Sequence, residues 1–339
     1  YPLIDGVVNG CPSHLLEPTK QNVLQRSEEF DNAYWLNNGV TINANQTISP
    51  SGELNADLLT GVSGGFGVKR FLTWTATNKV ASCFAKAGST NLFKIANVSG
   101  GNRYVIFNLS NGTVSEQSTG WTGFIENYGN GWYRCIAISN NETGTFSLGV
   151  TAASESVYMW GSQLESDYKT SYIPTTTATV TRSAETANGA GDASTFNSSE
   201  GVLMAEINYL ADDLSIEGVS ISDGSSSNRV VIFKWSNSSN VIKVRITSEG
   251  FNYVNENITV SDITDVMKIA VKYKQNDFSV FINGFELFTE TNGSTPINLN
   301  TLGFNSDGLG GAPFYGNTKQ IQYFDSALND SDLETITSW

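Results

Sequence analysis

The final third of the chain leaves little freedom in how it can fold. From Lys268 it reads KIAVKYKQNDFSVFINGFELF. Apolar and polar residues alternate on both sides of Gln275-Asn276-Asp277, the pattern of two half-buried antiparallel strands joined by a short turn. Asn283-Gly284 then separates Phe281-Ile282 from Phe285. That dipeptide is a strong tight-hairpin signal, because the favoured two-residue turn needs positive φ at both central positions. One more strand, Thr318 to Phe324, leads to a short terminal helix. Asn329 can cap that helix, and Asp332 falls in its first turn, where a carboxylate suits the dipole.

The rest of the chain agrees with a sheet protein. Its 339 residues leave room for two domains, each with its own core. Gly, Ser, Thr and Asn are abundant, strongly periodic helical segments are missing, and short β-branched and aromatic runs recur between turn residues. The chain therefore reads as all-β. No run approaches the roughly 20 apolar residues needed to span a bilayer, so no membrane insertion is expected. The N-terminus lacks the basic and apolar regions of a signal peptide. Tyr1 begins inside what reads as an extended segment, so residue 1 is expected not to be the natural start.

Charge narrows the partners. The net charge is −14: residues 1–185 carry 11 basic and 14 acidic side chains, and residues 186–339 carry 8 and 19. An acidic surface argues against nucleic acid and anionic membranes, and leaves neutral glycans or cation-bridged anionic ones as ligands. Cys83 and Cys135 sit in apolar strand-like runs and read as buried thiols or as a disulfide pair, with Cys11 left over. No Cys-x-x-Cys or Cys/His cluster points to zinc.

Four segments are expected: an extended N-terminal linker over 1–22, a first domain over 23–185, a linker over 186–198 and a second domain over 199–339. The first domain carries eight or nine short strands about ten residues apart, which suits a jelly roll. The boundary falls in the Thr-, Ala-, Ser- and Gly-dominated stretch SYIPTTTATVTRSAETANGAGDAS.

Particular phrases carry a family resemblance. NVLQRSEEFDNAYW, ASCFAKAG, GNGWYRCIAI, YMWGSQLE and TSYIPTTTATVTRSAE, in that order, resemble a carbohydrate-binding-module-like jelly roll. That module is frequent in bacteriophage tail fibres and other adhesion proteins, and in secreted proteins of marine bacteria. SISDGSSSNR, KIAVKYKQNDFSVFING and FYGNTKQIQYFDSALNDSDLETI resemble the laminin-G-like, concanavalin-type sandwich that often follows it. The resemblance implies two tandem antiparallel β-sandwiches that bind sugars or proteins. It supplies neither a ligand nor catalytic residues.

Catalytic groupings are weak. Glu28-Glu29-Asp31 sits at a strand entry and Glu286/Glu290 on a solvated face, neither in the Glu-x-Asp-x-x-Glu arrangement of sandwich glycanases. The single His14 gives no Ser/His/Asp triad, and GVSGGFGVKR lacks the strand–loop–helix setting of a phosphate loop. Sandwiches of the resembled kinds often hold calcium on loop oxygens, which makes Glu28 with Glu165, and Asp223 or Asp307, candidate ligands. Asp-Gly is equally an ordinary turn. Aromatic faces stack on sugar rings, so Trp74, Trp121, Tyr128, Trp235, Phe251, Tyr253 and Tyr315 are candidate glycan contacts. Each has a core position as its alternative, and Trp132 and Trp160 read as core.

The function expected from these readings is non-catalytic: a virion-surface or tail-fibre adhesion protein binding host-surface glycans. Its N-terminal segment would join other virion proteins, and a homo-oligomer such as a symmetric trimer would supply avidity. Two alternatives stand beside it. One is an accessory glycan-binding region of a secreted polysaccharide-degrading enzyme, and the other is a purely structural capsid decoration protein.

Overall fold

The computed structural model describes residues 13–63, 66–72, 78–98, 102–140 and 144–339, with the backbone of Leu3–Ile4 and Val7–Val8. Apart from one short C-terminal helix, the regular elements are antiparallel strands. Two compact units divide between Ser183 and Ala184, and residues 13–18 belong with the second. No helix among the described residues is long and apolar enough to cross a membrane.

In the first unit, one six-stranded sheet runs in the order Thr113–Gln117, Arg103–Asn108, Leu92–Asn97, Gly144–Gly149, Gly67–Leu72, Leu36–Asn38. The other runs Trp121–Gly129, Trp132–Asn140, Asn78–Ala87, Ser156–Ser166, Leu54–Gly61, Val40–Ile48. Strands of both sheets feed one hydrophobic cluster, with Phe93, Ile95, Val105, Phe107 and Leu148 from the first and Leu59, Cys83, Ala85, Cys135 and Met159 from the second. Cys83 and Cys135 face each other in register as free, buried thiols. Burial pushes both thiols above their ordinary range, which keeps them protonated and inert. Cys11 lies outside the described residues.

The second unit repeats the scheme with different strands. One sheet runs Asn188–Ala190, Thr301–Gly303, Glu217–Ser222, Arg229–Lys234, Val241–Ser248, Phe251–Thr259. Its partner runs Phe285–Glu290, Phe278–Ile282, Met267–Lys274, Glu200–Tyr209, Gly316–Phe324, His14–Leu16. Both sheets again supply one cluster, including Val230, Ile232, Val244 and Ile246 from the first and Leu203, Ile207, Ile269 and Val280 from the second. The expected hairpins are present: Asn283 and Gly284 hold φ of 52° and 86°, and Ile282 pairs with Phe285. Asn329 accepts a hydrogen bond from the Asp332 amide at 2.9 Å and opens the helix Asp330–Thr337.

The sequence reading places residues 14–16 in an N-terminal linker. The structure instead pairs them with the final strand, Leu16 against Gly316 and His14 against Thr318. Leu16 is buried in the second core. A three-residue edge strand is too short to announce itself by periodicity, and one inward leucine secures it.

Candidate functional site

Alternation along two neighbouring strands of the second unit builds one polar, cationic face, in which Arg229 and Lys243 are buried and Arg245 and Trp235 are half-buried. On Arg229–Lys234, Val230 and Ile232 enter the core, so Arg229, Val231 and Phe233 face the other way. On Val241–Ser248, Ile242, Val244 and Ile246 enter the core, so Lys243, Arg245 and Thr247 share that outer face. The register sets Arg229 opposite Thr247, Val231 opposite Arg245 and Phe233 opposite Lys243. The flanking strands extend these rows: Ser222 and Ser220 lie opposite Arg229 and Val231, and Asn255 and Asn257 opposite Arg245 and Lys243.

Aromatic rings hold the cations. Trp235 follows Phe233 on the same face and meets it edge-on, with centroids 6.0 Å apart. The Lys243 ammonium sits 4.1 Å above the Trp235 ring, and the Arg245 guanidinium lies 5.4 Å from the Phe233 ring. Such contacts are favourable by about 0.5–2 kcal/mol according to desolvation. Arg245 Nε donates to Asn255 Oδ1 at 3.0 Å, and Arg229 Nη1 donates to the Ser306 carbonyl at 2.6 Å. The buried Nε of Arg229 has no partner among the described residues.

Of the residues singled out in the sequence, Trp235 belongs to this face. Asp307 lies close enough to bias Arg229 electrostatically, but its Oδ1 accepts the amides of Leu309 and Gly311, at 2.8 and 3.0 Å. Asp223 is a turn residue, accepting from Ser225 and Asn228. Tyr253 packs edge-on against the exposed Phe251 at 4.8 Å. Tyr315 leans on the second core, and burial raises its phenol above the ordinary value.

The first-unit candidates scatter. Trp121 is buried in the core, 6% exposed, and its indole N–H has no partner among the described residues. Tyr128 is exposed and stands edge-on to Phe84 at 4.8 Å. Trp74 lies outside the described residues. Glu28 accepts from Asn55 and from the Tyr172 hydroxyl. Glu165 is fully buried and accepts from Gln163 and twice from Thr170. Among the described residues, no group of three or more His, Cys, Asp or Glu is placed to hold a metal.

Arg229, Phe233, Lys243 and Arg245 are absent from the sequence-based candidates. Their signal is present in VIKVRITS, where Lys243 and Arg245 take alternate positions of an apolar run, and is weaker in NRVVIFKW, where Arg229, Phe233 and Trp235 share one parity with Val231 and Lys234 falls on the other.

No family model matches the chain, and no curated protein matches it. Solved structures give distant likenesses. The CBM40 of a Ruminococcus gnavus IT-sialidase is 14% identical over 45% of this chain and 95% of its own, with a TM-score of 0.37. Sheep galectin-11 is 8% identical over 37% of this chain and 88% of its own, with a TM-score of 0.26. The binding domain of botulinum neurotoxin serotype G is 9% identical over 73% of this chain and 50% of its own, with a TM-score of 0.33. Identities and TM-scores of this size leave the functional reading to the site's own geometry.

Proposed function

We propose that this chain is a non-catalytic carbohydrate-binding protein. Its two units would be tandem sandwiches, the first jelly-roll-like and the second laminin-G-like, and the outer face of Arg229–Lys234 and Val241–Ser248 would be the glycan site. One observation carries the reading: a half-exposed Trp235 ring shares a face with the half-buried Arg245 and the exposed Asn255 and Asn257, above a buried row of Ser220, Ser222, Thr247 and Lys243. A ring face suits a sugar's C–H surface, and amides, hydroxyls and guanidinium groups read its hydroxyls. The same face favours binding over hydrolysis, because glycosidases work with paired carboxylates where this surface presents cations.

The site suits a weak binder acting beside other parts of a larger assembly. An accessory region of a polysaccharide-degrading enzyme and a virion-surface or tail-fibre adhesin both meet that description. The oligomeric state of the full chain separates them: a trimer favours the adhesin, whose repeated sites gain avidity, and a monomer favours the accessory region.

The test is a glycan array probed with the full chain displayed multivalently, with and without chelator. Trp235→Ala is expected to weaken binding by about 2 kcal/mol, roughly thirtyfold, as loss of a central aromatic contact does. Binding should survive the chelator, since the face supplies its own positive charge. No binding to any glycan would overturn the reading in favour of a structural role.

A further inference from the structure

The second unit is strongly acidic, so its few basic residues have many carboxylates to choose from. Four of the eight basic residues in 186–339 take them: Lys234 pairs with Asp213 and Glu217, Lys272 with Asp277 and Asp330, Lys274 with Glu200 and Lys319 with Glu206. Lys268 donates to the Ser338 carbonyl. The remaining three, Arg229, Lys243 and Arg245, converge on one face, and none closes an ion pair with a carboxylate of the described residues.

That arrangement costs the fold free energy. Burial and then the charge of Arg245 hold both Arg229 and Lys243 below their ordinary values, and burial does the same to Arg245. Asp307 and Glu256 offset Arg229 and Lys243 through space only. The ring contacts of Lys243 with Trp235 and of Arg245 with Phe233 offset part of that cost, and no carboxylate among the described residues closes an ion pair with the three to offset the rest. A ligand of opposite sign gains from all three at once, and the adjoining rings thin the water that would screen them.

We propose that this face selects an anionic glycan, one carrying carboxylate or sulfate groups, whose acid group is taken by the terminal donors of Arg245, with the buried Lys243 and Arg229 adding positive charge beneath it, while a sugar ring lies against Trp235. The proposal rests on the glycan-binding reading above and adds the ligand's charge. Arg245 has spent Nε on Asn255, and no acceptor among the described residues takes its terminal Nη donors. Those donors match the fork geometry of a carboxylate or sulfate.

The chain's own charge makes the test sharp. A protein with a net charge of −14 repels polyanions generally, so their capture reports a local site. The full chain is titrated with oligogalacturonate, sulfated dextran and uncharged dextran at low and high salt. At least one polyanion should bind at low salt, with affinity falling about tenfold or more at high salt. The arm that binds tells carboxylate from sulfate. Arg245→Gln should weaken it a further tenfold or so, the share of one charge-assisted hydrogen bond. Lys319→Gln removes the same charge from another surface of that unit and should leave binding unchanged. Unfolding midpoints of both variants establish that the fold is intact.

Binding of uncharged dextran in preference to both polyanions would overturn the charge assignment and leave the glycan reading standing. Equal loss in the two variants would reduce the effect to net charge and overturn the site. Failure of all three probes here, together with an empty glycan array, would remove both readings.

Discussion

Each unit places a guanidinium beside a phenylalanine on the outer face of a sheet, and the two are treated oppositely. In the first unit, Arg134 stands opposite Phe84 in register, 5.7 Å from its ring. It donates to Ser82 Oγ at 3.1 and 3.4 Å and lies 4.0 Å from the buried Glu165. Tyr128, Trp160 and Tyr172 surround Phe84, with centroids 4.8, 5.3 and 5.8 Å away. In the second unit, Arg245 lies 5.4 Å from Phe233 with an asparagine as its hydrogen-bond partner and two further cations on the same face. A carboxylate and a closed ring cluster make the first arginine part of the architecture. Their absence leaves the second available to a ligand. The residue types are shared, so the partner decides the role.

The largest expected effect tests the closed arginine. Glu165→Ala leaves Arg134 buried without its counter-charge and frees the Thr170 and Gln163 donors. A loss of about 3–5 kcal/mol in the stability of the first unit is expected, read from denaturant unfolding. The second unit's transition should not move. A change below about 1 kcal/mol would mean that Arg134 is no more committed to structure than Arg245.

The second unit contains its own committed cation, which makes an internal control. Lys234 is fully buried and reaches Asp213 at 2.6 Å, Glu217 at 3.3 Å and the Ala211 carbonyl at 2.8 Å. Burial raises Glu217 above its ordinary value even with Lys234 nearby. Lys234→Ala should destabilise the second unit by about 3 kcal/mol, because an uncompensated carboxylate remains. Glycan binding at the outer face should persist wherever the variant is folded, since Lys234 points away from Trp235's row.

A smaller effect separates paired from unpaired carboxylates in the first unit. Asp57 is buried with no paired cation among the described residues and accepts the amides of Phe30 and Asn45, at 2.9 and 3.0 Å. Burial outweighs these bonds and raises its acid to about 6 from 3.8. The folded state therefore holds this proton more tightly than the unfolded chain does. The stabilisation from Asp57 is fully present below about pH 3.8 and is lost as pH rises through 6. Stability of the first unit measured across that window should slope downward with pH from this group, and Asp57→Asn should remove that part of the slope. An unchanged slope in the variant would assign it elsewhere.

How far the sequence discloses such roles depends on the distance over which they are set. The Asn283-Gly284 turn and the Asn329 cap are local, and a few neighbouring residues decide them. Trp121 and Tyr128 show a harder case, because both border turns and the sequence offers each as either a glycan contact or a core residue. Trp121, Gly123 and Ile125 face the core, where Gly123 abuts Val105 and Val114, and that glycine interrupts the apolar pattern that would reveal the face. The cation face is half legible. Alternation in VIKVRITS shows that Lys243 and Arg245 share a side. Whether a carboxylate meets them depends on the register of the next strand, which sets Glu256 opposite Val244 and Asn255 and Asn257 opposite the two cations. A shift of one residue would bring Glu256 round to the cationic side.

The smallest effect bears most directly on the contrast. If Arg245 is held for a ligand, its removal should cost the free protein almost nothing. Arg245→Ala loses one hydrogen bond to an exposed asparagine and a partly wet contact with Phe233, each a fraction of a kcal/mol. It also relieves the repulsion that Arg229 and Lys243 feel from this side chain. The terms oppose each other, and the net change in unfolding free energy should lie within about 0.5 kcal/mol of zero, as for a surface substitution. Added salt should narrow the difference further by screening the repulsion. A stabilised variant would strengthen the case that three gathered cations are kept for binding against the interest of the fold. A loss approaching that of Glu165→Ala would make Arg245 a second Arg134, and the two faces would then differ in composition but not in kind.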